Sequence, residues 1–257
     1  MTPFLLGTIG SFCAGMMTAI GALPVLAGRR VSARTNDILL GFAAGVMLSA
    51  AFFSLILPGL DRLEQTYNSA WVPASVAVVG ILLGAAAVFG MDKAIPHRHF
   101  VTGHEGPMTD ALRRIWLFVI AITIHNIPEG LAVGIGFGSG DLAAGTSLAI
   151  GIGLQNAPEG LAVAVALLSE GYRRKTAFLI AAATGMVEPL AGVIGAAAIT
   201  YFQVILPWGL MFAAGAMIFV ISHEIIPETH RRGHHQAATA GLMIGLVVML
   251  FLDVSLG

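Results

Sequence analysis

Two glutamates constrain this chain more than any other feature, because each lies near the middle of an apolar stretch long enough to cross a bilayer. Glu129 belongs to the segment His125-Asn126-Ile127-Pro128-Glu129-Gly130. Glu159 belongs to Gln155-Asn156-Ala157-Pro158-Glu159-Gly160, and both segments continue Leu-Ala-Val. A charged side chain at the centre of a bilayer costs roughly 3 kcal/mol or more unless something compensates it. Any fold available to this chain must therefore bring the two carboxylates to a group that holds them.

Composition fixes the surroundings. Hydrophobic residues make up 57% of the 257 residues and charged residues 11%, against about 25% charged in soluble domains. Apolar runs of spanning length fall at about 4–28, 38–60, 71–91, 115–137, 142–168, 176–200, 202–226 and 237–256. They predict an all-α polytopic membrane protein with eight transmembrane helices, its spans in contact with the lipid bilayer. The runs are continuous rather than alternating, which excludes a membrane β-barrel. The 32 glycines suit close helix packing in lipid. The whole chain, 1–257, reads as one transmembrane domain, and the N-terminal run as a retained first span. A net charge of −1 carries no sign of a nucleic-acid partner. The single cysteine, Cys13, excludes a disulfide framework and a cysteine-rich zinc site.

Basic residues give an orientation. Twelve of the 13 lysines and arginines fall in the loops after spans one, three, five and seven, and only Arg62 falls on the other side. By the positive-inside rule those loops are cytoplasmic and both termini lie outside. The longest of them, at about 92–114, carries His97, His99 and His104, and the loop after span seven carries His230, His234 and His235. Such tracts bind metal weakly or stay solvated. Asp61, Glu64, Asp141 and Asp253 fall at the outer ends of spans, where acids are commonly interfacial.

The repeat itself has the makings of a metal site. His125 and Glu129 are four residues apart and share a helix face, with Asn126 beside them; Gln155, Asn156 and Glu159 repeat the arrangement. Pro128 crowds the carbonyl of Ile124, and Pro158 that of Leu154. Gly130 and Gly160 permit another backbone to approach. Consecutive spans run antiparallel, so the two motifs meet at similar depth in an inverted relation typical of transporters. Glu188, before Pro189, adds a third acid mid-span. Three acids at one depth require protons or metal, and the imidazole and amide oxygens favour a borderline ion such as zinc. A proton relay stays open, as do buried glutamates satisfied by neighbouring helices. Asn126 and Asn156 bonding backbone carbonyls across helices is a further alternative. Met47 in span two is either a core residue or a thioether ligand suited to softer ions such as cadmium, and Ser54 is equally ambiguous. His223 and Glu224, near the cytoplasmic end of span seven, suit an inner release site or gate, and Asp92 ends span three on that side.

These motifs resemble the ZIP family of divalent-metal transporters, in its bacterial branch. The resemblance runs through HNIPEG, QNAPEG, MVEPLAG in span six and the His-Glu pair in span seven. It implies movement of Zn2+ and similar ions, Cd2+ among them, into the cytoplasm, with no resident cofactor. It implies a binuclear site: Met47, His125, Glu129, Gln155 and Glu159 around the first ion, and Asn126, Asn156 and Glu188 around the second, with Glu129 and Glu159 bridging. It places Asp92, His223 and Glu224 along a release path and His97 as a transient ligand. It also implies a homodimer in a bacterial cytoplasmic (inner) membrane, and a bundle containing spans four and five that moves against a scaffold. Gln155 departs from the His that many family members carry. An intramembrane metalloenzyme using the same metal is the competing class, but the chain has no H-E-x-x-H and only two histidines within its spans.

Overall fold

A computed structural model describes residues 1–28, 31–94, 110–231 and 233–256. Among the described residues there are eight helices long and apolar enough to cross a membrane. They are α1 (Pro3–Leu26), α2 (Ala33–Thr66), α3 (Trp71–Ala94), α4 (Asp110–Gly138), α5 (Leu142–Ser169), α6 (Arg174–Tyr201), α7 (Gln203–His230) and α8 (His235–Leu256). The chain is thus an integral, multi-pass, all-helical membrane protein. Short polar side chains begin several helices by accepting a free main-chain N–H. Ser32 accepts from Thr35 at 3.0 Å and Asp141 from Ala144 at 3.0 Å.

Three spans depart from a regular α-helix. In α2 the segment Ala50–Ile56 is π-helical, and in α7 so is Ile221–Ile225. Each precedes a proline, Pro58 and Pro227. Proline has no N–H and crowds the carbonyl four residues back, which falls on Ser54 and His223. A wider π turn absorbs the mismatch without ending the span. Span α6 is broken at Met186 into Arg174–Gly185 and Val187–Tyr201. Glu188 lies in the first turn of the second half, where free N–H groups and the helix dipole favour a carboxylate. Spans α2 and α7 also outrun their apolar stretches, ending at Thr66 and His230, because helical hydrogen bonds continue into polar sequence.

The helices pack as two groups. One contains α1, α4, α5 and α6; the other pairs α2 with α8 and α3 with α7. The groups meet where α5 lies against α2 and α8, and where α4 lies against α7. The repeat glycines set the spacing of the first group. A Cβ on Gly130 would collide with the Glu188 carbonyl of α6, and one on Gly160 with the Thr18 carbonyl of α1. So α4 docks on α6 as α5 docks on α1, each through the glycine that follows its glutamate. The predicted His-bearing loop falls mostly at 95–109, outside the described residues.

Candidate metal centre

The repeat brings its side chains together at the contact of α4 and α5. His125 Nε2 lies 3.0 Å from Glu129 Oε1 and 3.3 Å from Glu159 Oε2. All three are buried, and one ligand atom from each falls within 4.8 Å of the others. Gln155 Nε2 donates to Glu129 Oε1. Neither ring nitrogen of His125 has hydrogen-bond geometry to a partner, and Glu129 Oε2, Gln155 Oε1 and both oxygens of Glu159 are buried without a hydrogen bond. Buried polar atoms in a native core are normally satisfied. A knot of lone pairs around one point, with too few donors, is what a cation would complete.

A second group adjoins the first through Glu188. Asn156 Nδ2 donates to Glu188 Oε1 at 2.8 Å and to the Ala14 carbonyl of α1 at 2.9 Å. Asn126 Nδ2 donates to the Thr184 carbonyl at 2.9 Å, just ahead of the break in α6. The alternative of asparagines bonding carbonyls across helices is therefore what the fold contains. It leaves Asn126 Oδ1, Asn156 Oδ1 and Glu188 Oε2 buried without partners. Anchoring the amide N–H groups on carbonyls turns the amide oxygens away from those carbonyls, so anchoring and cation binding are compatible. Glu188, like Glu129 and Glu159, is a buried carboxylate that protons or a cation must compensate.

The remaining sequence-selected residues are placed as follows. Met47 is fully buried in α2, the span that packs on α5. His223 and Glu224 lie in the π turn of α7, with the His223 ring stacked on Phe219 at 5.0 Å between centroids. Asp92 is in the last turn of α3, and His97 lies outside the described residues. Thr184 and Ala14 contribute main-chain carbonyls, which leave no mark in side-chain identity and so give no sequence signal.

Comparison with known proteins settles the family. The family model described as ZIP Zinc transporter matches residues 97–253. The chain belongs to the ZIP family of zinc transporters. Among its ZIP relatives, Zinc transporter ZIPB of Bordetella bronchiseptica is 48% identical over 98% of this chain and 81% of that protein. Zinc transporter GufA of Myxococcus xanthus is 42% identical over 98% of this chain and 99% of its own length. Human Zinc transporter ZIP11 is 35% identical over 97% of this chain and 96% of its length. The names describe transport rather than catalysis, which sets aside the metalloenzyme class for a ZIP protein of this kind.

Proposed function

We propose that this chain carries Zn2+ and similar divalent transition-metal ions, Cd2+ among them, across a bacterial cytoplasmic membrane into the cell through a binuclear site at mid-span. The observation that carries this reading is the buried group His125, Glu129 and Glu159, with ligand atoms within 4.8 Å of one another and too few donors to satisfy them. Imidazole, carboxylate and amide oxygen together suit a borderline divalent ion. The first ion is held by His125, Glu129, Gln155 and Glu159, with Met47 as a soft fifth ligand that admits cadmium. The second is held by Asn126, Asn156 and Glu188, with Glu129 and Glu159 bridging. The orphaned oxygens of both asparagines and of Glu188 support the second position.

Each part of the chain has a role in this reading. The carboxylates replace the hydration shell of an ion that would otherwise meet hydrocarbon. His125 supplies a nitrogen donor that is neutral when it binds. Competition between protons and metal for carboxylates and imidazole gives a route to release. In this reading His223, Glu224 and Asp92 lie along that route at the basic, cytoplasmic face, both termini are outside, and His97, which falls outside the described residues, is a transient ligand. The family resemblance supports a homodimer and a movement of the group containing α4 and α5 against the other.

The test is zinc uptake into proteoliposomes containing an internal zinc indicator, with cadmium as competitor and with or without a pH gradient. Wild type is expected to load zinc, and Glu129→Ala and Glu159→Ala to fall to the empty-vesicle rate. Uptake by either variant at the wild-type rate would falsify the site.

A further inference from the structure

Asp253 is an acid the transport site does not use. Near the end of α8, Asp253 Oδ1 accepts hydrogen bonds from two hydroxyls on two other spans: Ser54 of α2 at 2.7 Å and Ser147 of α5 at 2.8 Å. Ser147 is 1% exposed and Ser54 7%. The two bonds differ in what they join. Spans α2 and α8 are the tightest pair of one helix group, so Ser54–Asp253 lies within that group. Ser147 is on α5, in the other group, so Ser147–Asp253 crosses between the groups.

Ser147 is also placed above the metal centre. Residues 147, 151, 155 and 159 recur every four positions, so Ser147, Gly151, Gln155 and Glu159 form one stripe along α5. At 1.5 Å per residue Ser147 is about 12 Å along the axis from Gln155. Ser54 is likewise about two turns from Met47 on α2. Between these levels Met249, one turn before Asp253 on α8, fills the space at Gly151: a Cβ there would collide with the Met249 thioether. A path along this stripe from the face of Asp253 to Gln155 and Glu159 passes between α5 and α8. Here α5 and α8 are joined by the part-buried Ser147–Asp253 bond and by the flexible Met249 thioether, whereas backbone-close glycine contacts hold α5 to α1 and α8 to α2.

We infer that Ser147, Asp253 and Ser54 form a hydrogen-bonded clasp that shuts the metal centre from the face bearing Asp253, and that it opens by breaking Ser147–Asp253 while keeping Ser54–Asp253. Met249 is the plug beneath it. Parting the serine from a carboxylate that keeps a second hydroxyl leaves the acid still partly satisfied, so opening does not strand a bare charge in the span. The clasp rests on the transport reading only in that a buried site must be reached from both faces.

The experiment uses the full chain in nanodiscs, with Cys13→Ser and one reporter cysteine, Ala50→Cys, between Met47 and Ser54 on α2. Labelling by a small polar maleimide reports opening. Ser147→Ala is expected to speed labelling about fivefold, the shift that loss of one net hydrogen bond gives, while Ser54→Ala stays within about twofold of the parent. Equal acceleration by both serine variants, or none by Ser147→Ala, overturns the clasp. A melting curve checks each variant, and if Ser147→Ala does not fold, Asp253→Ala takes its place with acceleration as the expected result and an unchanged rate as the refuting one. Labelling does not depend on metal movement, so failed zinc uptake by the wild type would count against the transport reading alone.

Discussion

The two copies of the repeated motif occupy matched positions on α4 and α5, yet they are satisfied differently. At the second motif position they agree: Asn126 and Asn156 each donate to a carbonyl of a neighbouring span, Thr184 and Ala14. At the first position they differ. His125 lies beside both glutamates, whereas Gln155 donates to Glu129. The asparagines anchor the geometry and leave an oxygen over. The first position decides how much charge and how soft a donor the centre presents. A neutral amide that also donates to a carboxylate holds the empty site together, and an ion must displace that bond to use Glu129 fully.

That difference can be broken from several directions. The largest effect is expected at the carboxylates. Glu159→Gln should lower zinc affinity by more than about a hundredfold, beyond the range seen when only supporting groups are changed. Calorimetric titration reads the loss, and an affinity within about tenfold of wild type would count against Glu159 as a ligand.

Gln155→His makes the two copies alike. It should tighten zinc binding on the order of tenfold, the scale on which single groups around a metal act. An unchanged affinity would mean that position 155 does not face the ion. Asn156→Ala should cost about 1.5–3 kcal/mol of stability, since it takes a hydrogen bond from Glu188, with a smaller loss of uptake than the glutamate variants. Chemical denaturation alongside uptake separates those effects. Met47→Leu is the mildest change. It conserves volume and should cost less than about 1.5 kcal/mol, while shifting cadmium-to-zinc competition towards zinc. A ratio identical to wild type would leave Met47 as core packing.

Much of this was legible before the structure. The eight apolar runs predicted the eight spans, missing chiefly the polar ends of α2 and α7, because burial in lipid demands an unbroken run and nothing else in the chain supplies one. The meeting of His125, Glu129, Gln155 and Glu159 followed from helical spacing on consecutive antiparallel spans. The π turns before Pro58 and Pro227 were not read, although the prolines themselves were the signal. Proline marks where a helix must give, and its neighbours decide whether the span kinks, breaks or widens. Asp253 shows the other kind of gap. From the sequence it was one more interfacial acid; in the fold it joins three spans.

The sequence by itself determined the class, the number of spans, the repeated acid and the residue types that could hold a divalent metal, because these depend on periodicity and on the cost of charge in hydrocarbon. Only the tertiary structure decided which polar atoms are left unsatisfied. Asn126 and Asn156 are adaptable donors and acceptors, and their partners are carbonyls 58 and 142 positions away in the chain. No local pattern specifies such a pairing. It arises when Gly130 and Gly160 let α6 and α1 come close enough for main-chain carbonyls to reach the motif.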